Sequence, residues 1–130
     1  MRSEPLLVVD DNALNLKLAR LLLTGAGYEV RTAGNAEEAL ELLKTYHPRL
    51  ILMDIQLPGM DGLALTRLLK GDPATEHIII IALTAYAMKG DEERALASGC
   101  AGYFTKPLDT RTLADDVARQ IDASASVGVR

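Results

Sequence analysis

Short apolar runs, each ending at a charged or hydroxylic residue, constrain this chain more than any other feature. Leu6-Leu7-Val8-Val9 runs into Asp10-Asp11, Leu50-Ile51-Leu52-Met53 into Asp54, and Tyr103-Phe104-Thr105 into Lys106. A further run, His77–Leu83, is the most hydrophobic stretch present and leads to Thr84. Runs of this length without polar alternation read as strands buried on both faces, and such strands belong to parallel sheets covered by helices on each side. Parallel strands point the same way, so the residues that follow them gather at one edge of the sheet, where ligands bind. Asp10, Asp11, Asp54, Thr84 and Lys106 are therefore expected to share one crevice.

Between the runs the pattern turns helical. Leu14, Leu18, Leu21 and Leu22 recur at core spacing over about Asn12–Thr24, and Gly25 and Gly27 stop that segment. Tyr28–Thr32 reads as a second strand. Asn35 suits the N-cap of a helix through Ala36–Tyr46, with Ala39, Leu40 and Leu43 inward. The turn Leu57–Gly62 leads to a helix over about Gly62–Lys70, and Asp72-Pro73 breaks the chain. A fourth helix ends at Ser98-Gly99. Gly90 would cost about 1 kcal/mol inside it, while Asp91-Glu92-Glu93 suits a first turn. Its start is thus expected near Gly90 or Asp91, with Ala85–Gly90 a loosely held segment. Gly102–Thr105 is the fifth strand, and a last helix covers about Asp109–Ile121. Strand alternating with helix five times defines an α/β fold, a doubly wound five-stranded parallel sheet with five helices. Residues 1–5 form an N-terminal extension, 6–122 a single domain, and 123–130 a small polar tail expected to be disordered.

Composition narrows the function classes. Hydrophobic residues make up 48% of the 130 and charged residues 25%, which suffices for one packed core. A net charge of −4 argues against a direct nucleic-acid surface, which needs clustered Lys and Arg. The single cysteine, Cys100, makes no internal disulfide and reads as a small core filler. Met1–Pro5 is too short and polar for a signal peptide, and no apolar run approaches membrane-spanning length. A cytoplasmic protein with no membrane insertion is the expectation. Gly25-Ala26-Gly27 follows a helix, so it is a stop signal and no phosphate loop. His47 and His77 sit at segment edges and read as structural or exposed.

The acids carry the chemistry. Three carboxylates in one crevice repel and raise one another's proton affinity. A small hard cation relieves this, and an all-oxygen ligand set suits Mg²⁺. Asp54 is the candidate nucleophile, because a carboxylate beside Mg²⁺ can attack a phosphoryl group to give an aspartyl phosphate. Lys106 and Thr84 are placed to bind the transferred oxygens. Singly, these residues have ordinary readings: an acidic helix start, a helix cap, a surface lysine. Their coincidence at strand ends outweighs those readings.

The joint pattern is specific. Val9-Asp10-Asp11-Asn12, the stretch Leu52–Gly62 around Asp54, Leu83-Thr84-Ala85 and Thr105-Lys106-Pro107 together resemble the response-regulator receiver domain of the CheY-like superfamily, over about Leu6 to Ile121. The resemblance implies a flavodoxin-like sheet of order 2-1-3-4-5. It implies that Asp54 accepts a phosphoryl group from a histidine kinase or a histidine phosphotransfer protein. Asp11, Asp54 and the Gln56 carbonyl would ligate Mg²⁺, with Asp10 acting through water. Thr84 and Lys106 would bind phosphoryl oxygens, the Lys106–Pro107 peptide would be cis, and Tyr103 would be the rotating aromatic switch. Gln56 and Tyr86, two residues past Asp54 and Thr84, would modulate dephosphorylation. Neither is an acid and Tyr86 is bulky, so a long-lived phosphorylated state is expected. The face made by the fourth helix, fifth strand and fifth helix would meet a downstream protein, with the chain a monomer or weak dimer. Such a domain catalyses only its own phosphotransfer and autodephosphorylation.

A narrower likeness, in Asp11–Asn15, Met53–Pro58 and Ala87–Arg94, is to single-domain members of the family, which act as stand-alone response regulators. Receivers of hybrid histidine kinases carry similar stretches, so a receiver excised from such a kinase is the alternative. An aspartate-nucleophile phosphatase of the dehalogenase kind wants a second acid two residues after the nucleophile, where this chain has Gln56. A degenerate receiver that only binds partners would not need the intact acidic set.

Overall fold

The structure, a computed structural model, describes residues 3–85 and 90–128. Its five strands are β1 (Pro5–Val9), β2 (Glu29–Ala33), β3 (Leu50–Asp54), β4 (Ile79–Thr84) and β5 (Gly102–Thr105). They form one sheet in the order β2-β1-β3-β4-β5, with every neighbouring pair parallel. Helices α1 (Ala13–Gly25), α2 (Ala36–Leu42), α3 (Gly62–Lys70) and α4 (Asp91–Ser98) make the crossovers, α5 (Leu113–Gly128) follows the last strand, and together they cover both faces.

Alternate residues of a strand point to opposite faces, so each strand feeds two cores. On one side Leu7, Val9, Ile51, Met53, Ile80 and Ala82 pack with Ala39 of α2, Leu65 and Leu69 of α3 and Ala95 of α4. On the other, Leu6, Val8, Leu50, Leu52, Ile81 and Leu83 pack with Ala19 and Leu23 of α1 and Val117 and Ile121 of α5. Each Leu or Ile buried this way contributes about 1.5–3 kcal/mol. β3 and β4 are buried along their whole length, which is why their sequences show no alternation. Cys100 lies in the first core, its Sγ 4.0 Å from Thr66 Oγ1, while His47 and His77 are exposed.

Helix ends and faces depart from the sequence reading in three places. Leu14 and Leu21, read as core, are 76% and 63% exposed, and α1 instead buries Ala19 and Leu23 with Leu16 and Leu22 partly covered. Leucines at 14, 16, 18, 21, 22 and 23 satisfy helical spacing on more than one face, so periodicity alone does not choose between them. Next, α2 ends at Leu42 and not at Tyr46. Bonds from Lys44 N to Glu41 O and Thr45 N to Leu42 O tighten its last turn to three-residue spacing. Tyr46 then turns inward and donates to Leu6 O at 2.8 Å, with Arg31 stacked over its ring.

Finally, α5 begins at Leu113, because Asp109 first makes a turn in which its Oδ1 accepts from Arg111 N. It continues to Gly128, so 123–128, read as part of a disordered tail, are helical. Ala and Ser cost a helix little, so a small polar composition suits a helix end as well as a coil. By contrast α4 does start at Asp91, with Gly90 left-handed at φ 96°. The expectation for Ala85–Gly90, and with it Tyr86, falls mostly on 86–89, outside the described residues. Among the described residues no helix is long and apolar enough to cross a membrane.

Candidate functional site

Four strand ends build the crevice. At β1, the chain leaves the sheet with Asp10 N bonded to Ala33 O of β2, which fixes Asp10 at the crest. Asn12 then caps α1, its Oδ1 accepting from Leu14 N and Asn15 N. Asp54 is the last residue of β3, and the next amide, Ile55 N, still bonds to Leu83 O of β4. The loop returns to Gly62, whose N donates to Ile55 O. A Cβ on Gly62 would lie 2.0 Å from the Asp54 carbonyl oxygen, so only glycine lets α3 begin this close to β3. Thr84 closes β4, and its carbonyl accepts from Lys106 N at 2.7 Å, which ties the β5 end to the same crest. The Lys106–Pro107 peptide is cis.

These ends converge as the strand pattern requires. Asp10, Asp11 and Asp54 each offer a carboxylate oxygen, all within 4.8 Å of one another. Asp10 and Asp54 are buried and Asp11 is exposed at the mouth. Lys106 Nζ bridges the buried pair, 3.0 Å from Asp10 Oδ2 and 3.0 Å from Asp54 Oδ2. Asp54 Oδ1 accepts from Gln56 N at 2.9 Å. Asp10 Oδ1 accepts from Asn12 N at 2.9 Å, and Asp10 Oδ2 also accepts from Asn15 Nδ2 at 3.3 Å.

Electrostatics follow from burial. Desolvation pushes the Asp54 carboxyl above the ordinary carboxylate value, and Asp10 adds to the rise. The Gln56 amide and the Lys106 ammonium pull the other way without cancelling it. For Lys106, burial opposes the charge, but the bonds and charges of Asp54 and Asp10 outweigh it and hold the ammonium above the usual lysine value. One positive charge thus faces three acids. A dication bound by hard oxygens fits that excess, and the clustered carboxylates are compatible with Mg²⁺.

Other sequence candidates sit around this centre. Thr84 is buried at the end of β4, in register with Thr105. Gln56 is exposed, immediately past the crest. Tyr103 is half-buried and packs against the core on the α3 and α4 side. Tyr86 is outside the described residues. Sequence reasoning missed Asn15 and the tight approach of Gly62. Asn15 had a signal: it occupies the third helical position of α1, where a polar side chain folds back on the helix start. Gly62 had none beyond a turn-forming residue.

Fold and site together define a doubly wound α/β domain with an acidic crevice at its strand ends, and comparison with known proteins gives its family. Residues 6–118 match the response regulator receiver domain family. The polar-differentiation response regulator DivK of Brucella ovis is 49% identical over 106 residues, 82% of this chain and 86% of that one. A response regulator structure from Chloroflexus aurantiacus superposes with a TM-score of 0.87 at 32% identity, covering 93% of this chain and 99% of that one. The chemotaxis response regulator CheY4 of Vibrio cholerae gives 0.85 at 26% identity, covering 92% and 99%. The chain belongs to the response-regulator receiver family, whose members are two-component signalling proteins.

Proposed function

We propose that this chain is a phosphorylation-controlled binding module in which Asp54 accepts a phosphoryl group from a histidine of a kinase or phosphotransfer protein. The observation that carries this is the position of Asp54: it ends β3 inside the acidic cluster, with Lys106 on one carboxylate oxygen. An Asp54 oxygen forms the new O–P bond while the donor N–P bond breaks, and the electron pair stays on the imidazole nitrogen. Lys106 and the Thr84 hydroxyl bind oxygens of the transferred group. Asp11, Asp54 and the Gln56 carbonyl hold Mg²⁺, with Asp10 acting through water. That ion supplies neutralisation of charge on the phosphoryl oxygens. By the family pattern Gln56 and Tyr86 modulate dephosphorylation: neither is an acid, and a bulky residue at 86 is read as slowing hydrolysis more than Gln56 speeds it.

Leu14 and Leu21 support a helical donor. They stand exposed two turns apart on α1, which starts next to Asp11, and an apolar stripe of this kind seats a partner helix. The phosphorylated state is read at the face of α4, β5 and α5, where half-buried Tyr103 is the switch. We read the protein as a cytoplasmic, stand-alone regulator, a monomer or weak dimer, on its 49% identity to DivK. Incubation with Mg²⁺ and acetyl phosphate, followed by intact-mass and peptide mapping, tests the assignment. Phosphate on Asp54, absent in Asp54→Asn and in EDTA, is the expected result. No uptake by the wild type would sink it.

A further inference from the structure

We propose that Asn15 is a positioning residue for this chemistry: a neutral donor that keeps Asp10 satisfied while Lys106 shifts its bond toward the transferred phosphoryl group. The inference rests on reading Asp54 as the phosphoacceptor.

Asp10 is 0% exposed, so every bond its carboxylate needs must come from the protein or from a bound ion. It has three: Asn12 N on Oδ1, and Asn15 Nδ2 and Lys106 Nζ together on Oδ2. Lys106 also serves Asp54, at the same 3.0 Å. Phosphorylation gives Asp54 an additional set of charged oxygens that attract the same ammonium. As Nζ moves toward them its bond to Asp10 lengthens. Asn15 is on α1, a different element from the β5 end that carries Lys106, and does not follow that movement. It leaves Asp10 Oδ2 with a donor and so lowers the cost of the shift.

Helix formation does not account for this side chain. Asn12 alone caps α1, through Leu14 N and the backbone N of Asn15. At the third helical position a Glu or Gln ordinarily folds back onto the N-cap amide. Here that amide, Asn12 N, is taken by Asp10 Oδ1, and the Asn15 amide goes to the other oxygen of the same carboxylate. Because that oxygen only accepts, the side chain presents its NH₂. Asn is also a poorer helix former than Ala, so Asn15→Ala leaves the cap in place and favours the helix.

The test compares wild type, Asn15→Ala and Asn15→Gln, which keeps an amide on the same helical face. Each is labelled with acetyl phosphate at saturating Mg²⁺, and its Mg²⁺ affinity and urea midpoint are measured. Loss of one bond to a charged acceptor is expected to slow labelling of Asn15→Ala about tenfold, with unchanged urea midpoint and with partial recovery in Asn15→Gln. Labelling of Asn15→Ala within about twofold of wild type overturns the proposal, as does a Gln variant no faster than Ala. A wild type that takes no phosphate overturns the phosphoacceptor reading and this inference with it. Normal labelling of both wild type and Asn15→Ala overturns this inference alone.

Discussion

Replacing Lys106 by Met removes the cation shared by Asp10 and Asp54 while keeping an unbranched apolar stem. Each carboxylate oxygen lies 3.0 Å from Nζ. At an effective dielectric of about 20 a unit charge pair at that distance attracts by roughly 5 kcal/mol. Most of this attraction is offset by the desolvation of all three groups, since Asp10 and Asp54 are buried and Lys106 is only 17% exposed at its side chain. What remains after the cation is deleted is the cost of two buried carboxylates facing each other unpaired, about 3–5 kcal/mol. Two agents can relieve that cost: a proton on one acid, or a dication. Urea denaturation of Lys106→Met in EDTA at neutral pH is therefore expected to show a loss of about 3 kcal/mol, well beyond the 0–1 of a surface lysine. The deficit should shrink in Mg²⁺ and again as the pH falls into the carboxylate range, because both fill the role the ammonium held. A loss below about 1 kcal/mol would refute the shared-cation reasoning. A loss identical with and without Mg²⁺ would refute the link between Lys106 and the metal site.

Further outcomes follow from single contacts. Tyr46→Phe deletes the bond to Leu6 O and should cost about 1 kcal/mol at neutral pH. Burial first, then Glu29, pushes Tyr46 from 10.0 up to about 12 in the folded chain. A raised value means its stabilisation is complete below pH 10 and drains away through about pH 12, a loss of at most ~2.7 kcal/mol, so the gap to the Phe variant should close in alkaline melts. Gly62→Ala puts a methyl 2.0 Å from the Asp54 carbonyl oxygen where ordinary contacts begin at 3.4 Å, so α3 or β3 must yield by about 1.4 Å. Such a variant is expected to lose about 1–3 kcal/mol in denaturation and about a hundredfold in the rate of phosphate uptake. Asp11→Ala should weaken Mg²⁺ binding in a titration while leaving metal-free stability within about 0.5 kcal/mol, because Asp11 is exposed.

The strands were legible because burial on both faces writes itself as uninterrupted runs, and runs that all stop at polar residues place those residues at one edge. Asp10, Asp11, Asp54 and Lys106 could be brought together from sequence for that reason. The α4 start was legible because Gly90 and the acids after it both disfavour an earlier one. The buried face of α1 was not, since six leucines in ten positions fit several faces and the choice falls to packing against the sheet, where Ala19 and Leu23 are buried. The α2 boundary depends on a three-residue turn at 41–45 that no residue type announces, and the α5 start on the turn made by Asp109, which serves equally as a helix cap. Asn15 escaped because its partner is reached through the cap, a relation visible only once Asp10 is known to take the Asn12 amide.

The two helices flanking the crevice are mounted differently, and this sorts the partners each can serve. α3 starts on Gly62, keyed to the backbone of Asp54 itself with no room for a methyl between them. Its outer residues therefore keep a constant distance from the acid and act as a fixed ruler. α4 starts from a left-handed Gly90, with no side-chain cap bond at Gly90 among the described residues. A protein that docks on α3 is thereby held at a set distance from Asp54. α4 instead leans on that anchored helix through the bond from Arg67 to Ser98, so its surface is set against the acid at one remove.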